Sequence, residues 1–144
     1  MAAIRNASAH WEGSLIEGAG KVTFESSELG THDVTWAART NESNGLTSPE
    51  ELIAAAHSTC YSMSLSHGLA QAGTPPEAID TKAAVTFVPG TGITGVALSV
   101  TGKVPGLTAE QFEQAAQTAK EGCPVSQALK AVPITLEATF RDAS

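Results

Sequence analysis

Ser48-Pro49-Glu50-Glu51-Leu52-Ile53-Ala54-Ala55-Ala56-His57-Ser58-Thr59-Cys60-Tyr61-Ser62-Met63-Ser64-Leu65-Ser66 holds the clearest helix start in the chain. A serine at the cap, a proline at the first helical position and a glutamate at the third make a capping box. The hydroxyl can accept from the Glu51 N–H while the Glu51 carboxylate reaches back to the serine's own N–H. Nothing interrupts the run before Gly73, with Pro75-Pro76 behind it, so the helix is expected to end near Leu69–Ala72. Leu52, Ala56, Cys60 and Met63 fall four, four and three residues apart and are expected to share one face. Ala54–Ala56 let another backbone approach closely, so the helix reads as central and buried.

Upstream, Ser8–Ile16, Lys21–Glu25 and Asp33–Ala38 carry β-branched and aromatic residues broken by Gly18, Gly20 and Gly30, which predicts a three-stranded meander. Downstream, Ile79–Val88 and Ile93–Val104 read as strands joined as a hairpin through Pro89-Gly90-Thr91-Gly92. Thr108 and Gln111 form a second capping box, with Leu107 and Phe112 placed as a hydrophobic staple, and this helix is expected to end near Lys120 at Gly122. Cys123-Pro124 opens a short helix over Val125–Lys130, Pro133 ends it, and Ile134–Arg141 alternates as a last strand. The order βββ-α-ββ-αα-β keeps hairpins and helices apart and predicts an α+β fold.

A chain of 144 residues has the size of one domain, and no linker divides it, so residues 1–144 are expected to form one domain. Aromatics make up only 5% of the residues, so aliphatic side chains must fill the core, and a dimer interface would bury more of them. The net charge is −7 and the eight basic residues are scattered, which disfavours nucleic acid as a partner. No apolar run approaches the ~20 residues of a membrane span, and the N-terminal residues lack the apolar centre of a signal peptide. The expectation is a soluble, cytoplasmic protein that binds neither nucleic acid nor membrane.

Two cysteines, Cys60 and Cys123, then carry weight, because disulfides in a reducing compartment are usually transient and catalytic. The alternative is two packed thiols acting as small apolar side chains. Cys123 precedes Pro124 at a helix start, where unpaired N–H groups lower thiol pKa. Cys60 lies about three turns inside its helix, so any activation must come from a neighbour. His57, three residues earlier, could pair with it, and Arg39 could supply a permanent charge. Metal ligation is poorly supported: the four histidines and two cysteines form no C-x-x-C or H-E-x-x-H, and His57, Cys60 and His67 are the only grouping on one face. Gly90-Thr-Gly-Ile-Thr-Gly95 leads into no helix and does not read as a nucleotide loop.

The Ser48–Ser66 block and Glu121-Gly-Cys-Pro-Val-Ser-Gln-Ala-Leu-Lys130 together closely resemble the OsmC/Ohr family of thiol-dependent hydroperoxide reductases, in detail its OsmC branch. Ala9-His-Trp-Glu-Gly13 and Ala78-Ile-Asp-Thr81 extend the likeness over essentially the whole chain. The resemblance implies that Cys60 is the peroxidatic and Cys123 the resolving cysteine. It further implies that Arg39 contacts the reactive thiolate and that Glu50 positions this arginine. It implies an intertwined homodimer with long central helices wrapped by antiparallel sheets, an organic hydroperoxide as substrate, a dithiol reductant (a lipoyl protein or a thioredoxin-like protein), and no cofactor or metal. The helix start favours Cys123 as the more acidic thiol, whereas the family pattern puts the nucleophile at Cys60. After Arg39 the chain continues Thr40-Asn-Glu-Ser-Asn-Gly-Leu46, where relatives often carry an aromatic, a departure that bears on arginine packing and substrate preference. Two other functions fit parts of the pattern: a Cys60–His57 hydrolase, and a non-enzymatic ligand-binding stress protein with inert thiols.

Overall fold

Short β-rich segments separated by glycines pair as the sequence predicts. In the computed structural model, which describes residues 1–141, β1 (Ala7–Glu12), β2 (Ala19–Phe24) and β3 (Gly30–Val34) form an antiparallel sheet in that order. Trp11 stands opposite Gly20, where an added Cβ would come within 2.6 Å of the indole Cε3, so only glycine lets the ring lie on the neighbouring strand. The third strand does not run on to Ala38. Thr35 is extended (φ −141°, ψ 159°) and its hydroxyl accepts from the Ala38 N–H at 3.1 Å. This cap turns Trp36–Thr40 into a short helix, α1, that sequence patterning did not reveal. These elements lie in the first of two compact units, Met1–Leu52; the second is Ile53–Ser144.

Helix α2 (Pro49–Gln71) begins in the first unit and continues in the second. Ser48 Oγ accepts from the Glu51 N–H at 3.2 Å, and the Glu51 carboxylate accepts from Thr47 Oγ1 at 2.6 Å. Gly73 follows the helix in the left-handed conformation (φ 86°) that the termination requires.

The second unit holds β4 (Ala78–Val88), β5 (Gly92–Lys103), α3 (Ala109–Gly122), α4 (Pro124–Ala128) and β6 (Ile134–Arg141). The hairpin β4–β5 is antiparallel, but β6 pairs with β5 in parallel, so this sheet is mixed and not purely antiparallel. The two helices between β5 and β6 supply the long crossover that a parallel pair needs. Thr108 and Gln111 close both halves of their capping box, at 3.2 and 3.0 Å.

The core of this unit sets Tyr61, Leu65 and Leu69 of α2 against Val96, Leu98 and Val100 of β5 and Phe112, Ala116 and Ala119 of α3. The inward face of α2 is therefore His57-Tyr61-Leu65-Leu69, one position out of phase with the expected face, and Met63 is exposed. With alanine and serine filling the rest of the helix, hydrophobic contrast around it is small, and tertiary packing fixes its rotation. Tyr61 donates its hydroxyl to Ala116 O at 2.9 Å, which satisfies the one polar atom this buried ring carries inward. Among the described residues, no helix is long and apolar enough to cross a membrane.

Candidate thiol site

Four residues single themselves out in sequence as site candidates, and they fall into two pairs, one in each unit. In the first unit Thr35 caps α1 so that Arg39, in its last turn, meets Glu50 in the first turn of α2. Arg39 Nε donates to Glu50 Oε1 and Oε2 at 3.0 and 3.2 Å, and Nη2 donates to Oε2 at 2.8 Å. Glu50 is only 7% exposed, so this fork-to-fork pair forms away from bulk water, where geometry and strength are both favourable. The guanidinium also lies over the Trp36 ring, 5.7 Å from its centroid. Trp36, three residues before the arginine, thus supplies an aromatic partner in a chain that carries Thr40 after it; Thr40 Oγ1 instead donates to Trp36 O at 2.9 Å.

In the second unit α3 stops at Gly122 and Pro124 starts α4, which leaves Cys123 as an extended hinge (φ −61°, ψ 124°) that caps both. Its N–H donates to Ala119 O at 2.9 Å and its carbonyl accepts from the Gln127 N–H at 3.0 Å, so the residue is fixed from both sides. The side chain is fully buried, while Cys60 on α2 is partly exposed, and both thiols are free. Each thiol shifts the acidity of the other.

Their acidities diverge. Burial pushes the Cys60 thiol up, and the neighbouring Cys123 sulfur adds to this, against the Val125 N–H and Ser64 hydroxyl. Burial also opposes ionisation of Cys123, but it is outweighed by the Ser126 N–H, the Cys60 thiol, the Ser126 hydroxyl and the Val125 N–H, so that thiol is held below its ordinary range. Cys123 is therefore the more acidic thiol of the two, the order expected of a helix start.

His57 is completely buried, and its Nε2 meets Ser126 Oγ at 2.7 Å. Its hydrogen-bond partner is therefore Ser126 rather than Cys60, which removes the geometric basis for a Cys60–His57 hydrolase. Ser126 escaped the reasoning from sequence, although its place three residues after Cys123 on a helix start was a usable signal. Among the described residues, no three His, Cys, Asp or Glu side chains are gathered as a metal-binding group.

Residues 42–137 match the family described as OsmC-like protein. The chain belongs to the OsmC family. It is 46% identical over 132 residues to "Peroxiredoxin OsmC" of Escherichia coli (strain K12), covering 90% of this chain and 91% of that protein. The fold is shared with solved structures of much lower identity. An organic hydroperoxide resistance protein OsmC from Legionella pneumophila superposes with a TM-score of 0.68 at 21% identity over 96% of this chain and 99% of its own. An OsmC-like protein from Mycoplasma pneumoniae gives 0.72 at 11% identity over 97% and 99%.

Proposed function

We propose that the protein is a cysteine-based peroxidase that reduces organic hydroperoxides to alcohols. The observation that carries this reading is the pair of free thiols, Cys60 and Cys123, each shifting the other's acidity, in a chain nearly half identical to a peroxiredoxin. Cys60, the more accessible thiol, is the peroxidatic residue. Its proton passes to Cys123, and the Cys60 thiolate attacks the distal peroxide oxygen. The O–O bond breaks, Cys60 becomes a sulfenic acid, and the alkoxide leaves as alcohol with that proton. The Cys123 thiolate then attacks the Cys60 sulfur. Hydroxide departs and is protonated to water, and a disulfide closes that protects Cys60 from over-oxidation. An external dithiol, a lipoyl or thioredoxin-like protein, restores the pair by thiol–disulfide exchange and is itself oxidised.

The family motif gives Arg39 the part of stabilising negative charge on the thiolate and the peroxide oxygens, with Glu50 holding the guanidinium. An apolar cavity of about 500 Å³ in the first unit, lined by Trp11, Leu15, Val22, Trp36, Arg39 and Leu52, has room for an organic group beside that guanidinium and supports a preference over hydrogen peroxide. The working form is an intertwined homodimer in the cytoplasm. Support comes from the exposed apolar side chains of Leu15, Ile16, Leu29 and Met63, which a partner would cover. Matches spanning 96% or more of this chain support reading residues 1–144 as one family domain.

The test is turnover of cumene hydroperoxide with a dithiol reductant by wild type, Cys60→Ser and Cys123→Ser. Turnover abolished by Cys60→Ser, with Cys123→Ser failing to cycle and over-oxidising, is expected. Absence of peroxide consumption by reduced, folded wild type would refute the assignment.

A further inference from the structure

The peroxide cycle as proposed leaves a buried histidine unused. His57 is 0% exposed, sits on the inward face of α2, and makes a single hydrogen bond, from Nε2 to Ser126 Oγ at 2.7 Å. Its Nδ1 is buried with no partner among the described residues. A buried polar atom left unpaired in an otherwise satisfied core calls for a functional account.

Two neutral tautomers compete. With the proton on Nδ1, a buried N–H has no acceptor, and Nε2 takes the serine's hydroxyl hydrogen. With the proton on Nε2, the orphan is only an unused acceptor, the more tolerable of the two defects. The second tautomer is therefore assigned, and it has a consequence. Ser126 Oγ accepts from His57, so its own hydrogen is directed elsewhere, and Ser126 stands three residues after Cys123 on the same helix start, where its hydroxyl favours the Cys123 thiolate. Burial pushes His57 toward the neutral form that this arrangement uses.

We propose that His57 is a positioning residue for Cys123: by donating Nε2–H to Ser126 Oγ it turns the serine hydroxyl hydrogen onto the Cys123 sulfur. The chain His57–Ser126–Cys123 holds the resolving thiol ready to attack the Cys60 sulfenic acid, and eases its departure as thiolate when the disulfide is reduced. The inference rests on the peroxidase reading for its role in turnover, but the hydrogen-bond chain itself does not depend on it. The ionisable groups around the chain are few. Cys60 and Tyr61 come from α2, with the Tyr61 phenol pushed up by burial, by the Cys123 sulfur and by Glu113 of α3. Lys120, Glu121 and Lys130 line a cavity that Ser126 shares. The facing strand β5 contributes Val96, Leu98 and Val100 to the same core.

The thiolate of Cys123 is titrated by its ultraviolet absorbance in a Cys60→Ser background, which reads one sulfur and needs no turnover. His57→Phe should raise the midpoint by about one pH unit, equivalent to tenfold less thiolate below it. In the two-cysteine protein it should slow disulfide closure about tenfold after one equivalent of cumene hydroperoxide, with more over-oxidised Cys60 by mass spectrometry. His57→Gln, whose amide can donate from the Nε2 position, should recover most of both effects. Ser126→Ala should match His57→Phe, and the double variant should be no worse than either. A midpoint unmoved by Ser126→Ala, or moved equally by His57→Phe and His57→Gln, would overturn the proposal. Should His57→Phe fail to fold, the Ser126→Ala and His57→Gln titrations still decide it. Failure of wild type to consume peroxide would refute the peroxidase reading and leave the titration result standing.

Discussion

Replacing Glu50 by glutamine tests whether the Arg39–Glu50 pair organises the first unit. The carboxylate takes three donor contacts, at 2.8, 3.0 and 3.2 Å, in a position only 7% exposed. An isosteric amide keeps one acceptor oxygen and turns the other into an NH2 that faces guanidinium N–H groups, so the ion pair and at least one hydrogen bond are lost. A hydrogen bond to a charged group is worth about 1.5–3 kcal/mol, and breaking a fully buried ion pair costs about 3–5 kcal/mol. The Arg39 side chain is 28% exposed and can take up water once freed, which places the loss at about 1.5–3 kcal/mol. For a chain of this size that corresponds to a fall in Tm of roughly 3–12 °C, using about 2–4 °C per kcal/mol. Thermal unfolding of wild type, Glu50→Gln, Arg39→Met and the double variant closes a cycle that isolates the pair. Activity with cumene hydroperoxide in the same four proteins should fall about tenfold or more in every variant, with no further loss in the double. A coupling free energy below about 0.5 kcal/mol, within ordinary additivity, would refute the claim that these side chains act as a unit.

Two further outcomes follow from packing and burial. An alanine at position 102 would place its Cβ 2.3 Å from Phe112 Cε1 and 2.4 Å from Cζ, so the ring must shift; overpacking of this kind should cost about 1–3 kcal/mol in denaturant unfolding, largely relieved by a second change Phe112→Leu. The folded-state pKa of His57 is lowered by burial, so its contribution to stability is present above the unfolded value of about 6.5 and is lost as the pH falls through the folded value. Below pH ~6.5 wild type should therefore lose up to ~1.4 kcal/mol more per pH unit than His57→Gln, and parallel stability profiles for the two proteins would contradict this.

Much of the architecture is legible in local chemistry. Ser48-Pro49 and Thr108…Gln111 announce helix starts because capping is a local hydrogen-bonding problem; the Thr108 box closes in full, whereas at Ser48 only the hydroxyl bond forms and the Glu51 carboxylate turns to Thr47 Oγ1. The features that escaped are those set by distant partners. Asp33–Ala38 has strand-like residues throughout, and only the Thr35 hydroxyl reaching the Ala38 N–H decides for α1. The rotation of α2 is settled by which side chains Phe112, Ala116 and β5 can accommodate, so Tyr61 rather than Met63 turns inward. Strand direction carries no residue signature, and β6 runs parallel to β5 because two helices intervene. The candidates Cys60, Cys123, Arg39 and Glu50 stand out in sequence because whole motifs surround them. The pairing of His57 with Ser126, 69 residues apart, does not, because it depends on α4 meeting α2.

The order of thiol acidities constrains how a cycle of this kind can begin. Cys123, where Ser126 and Val125 favour the anion, is the more acidic thiol of the pair, yet in the proposed cycle the peroxide meets a thiolate on the more accessible Cys60. Moving the proton from Cys60 to Cys123 costs about 1.4 kcal/mol for each unit separating their pKa values. A guanidinium brought to within ~4 Å of the Cys60 sulfur is worth about 4 kcal/mol at an effective dielectric of ~20, enough to reverse a gap of roughly three units. The helix start at Pro124 alone therefore favours charge on Cys123 over Cys60. A fixed cation is what can transfer it to the attacking sulfur, and a guanidinium, which stays charged at every relevant pH, does so without becoming a third titrating partner. In the proposed cycle the two devices are complementary: the helix start readies Cys123 for the second step, and a cation draws charge to Cys60 for the first.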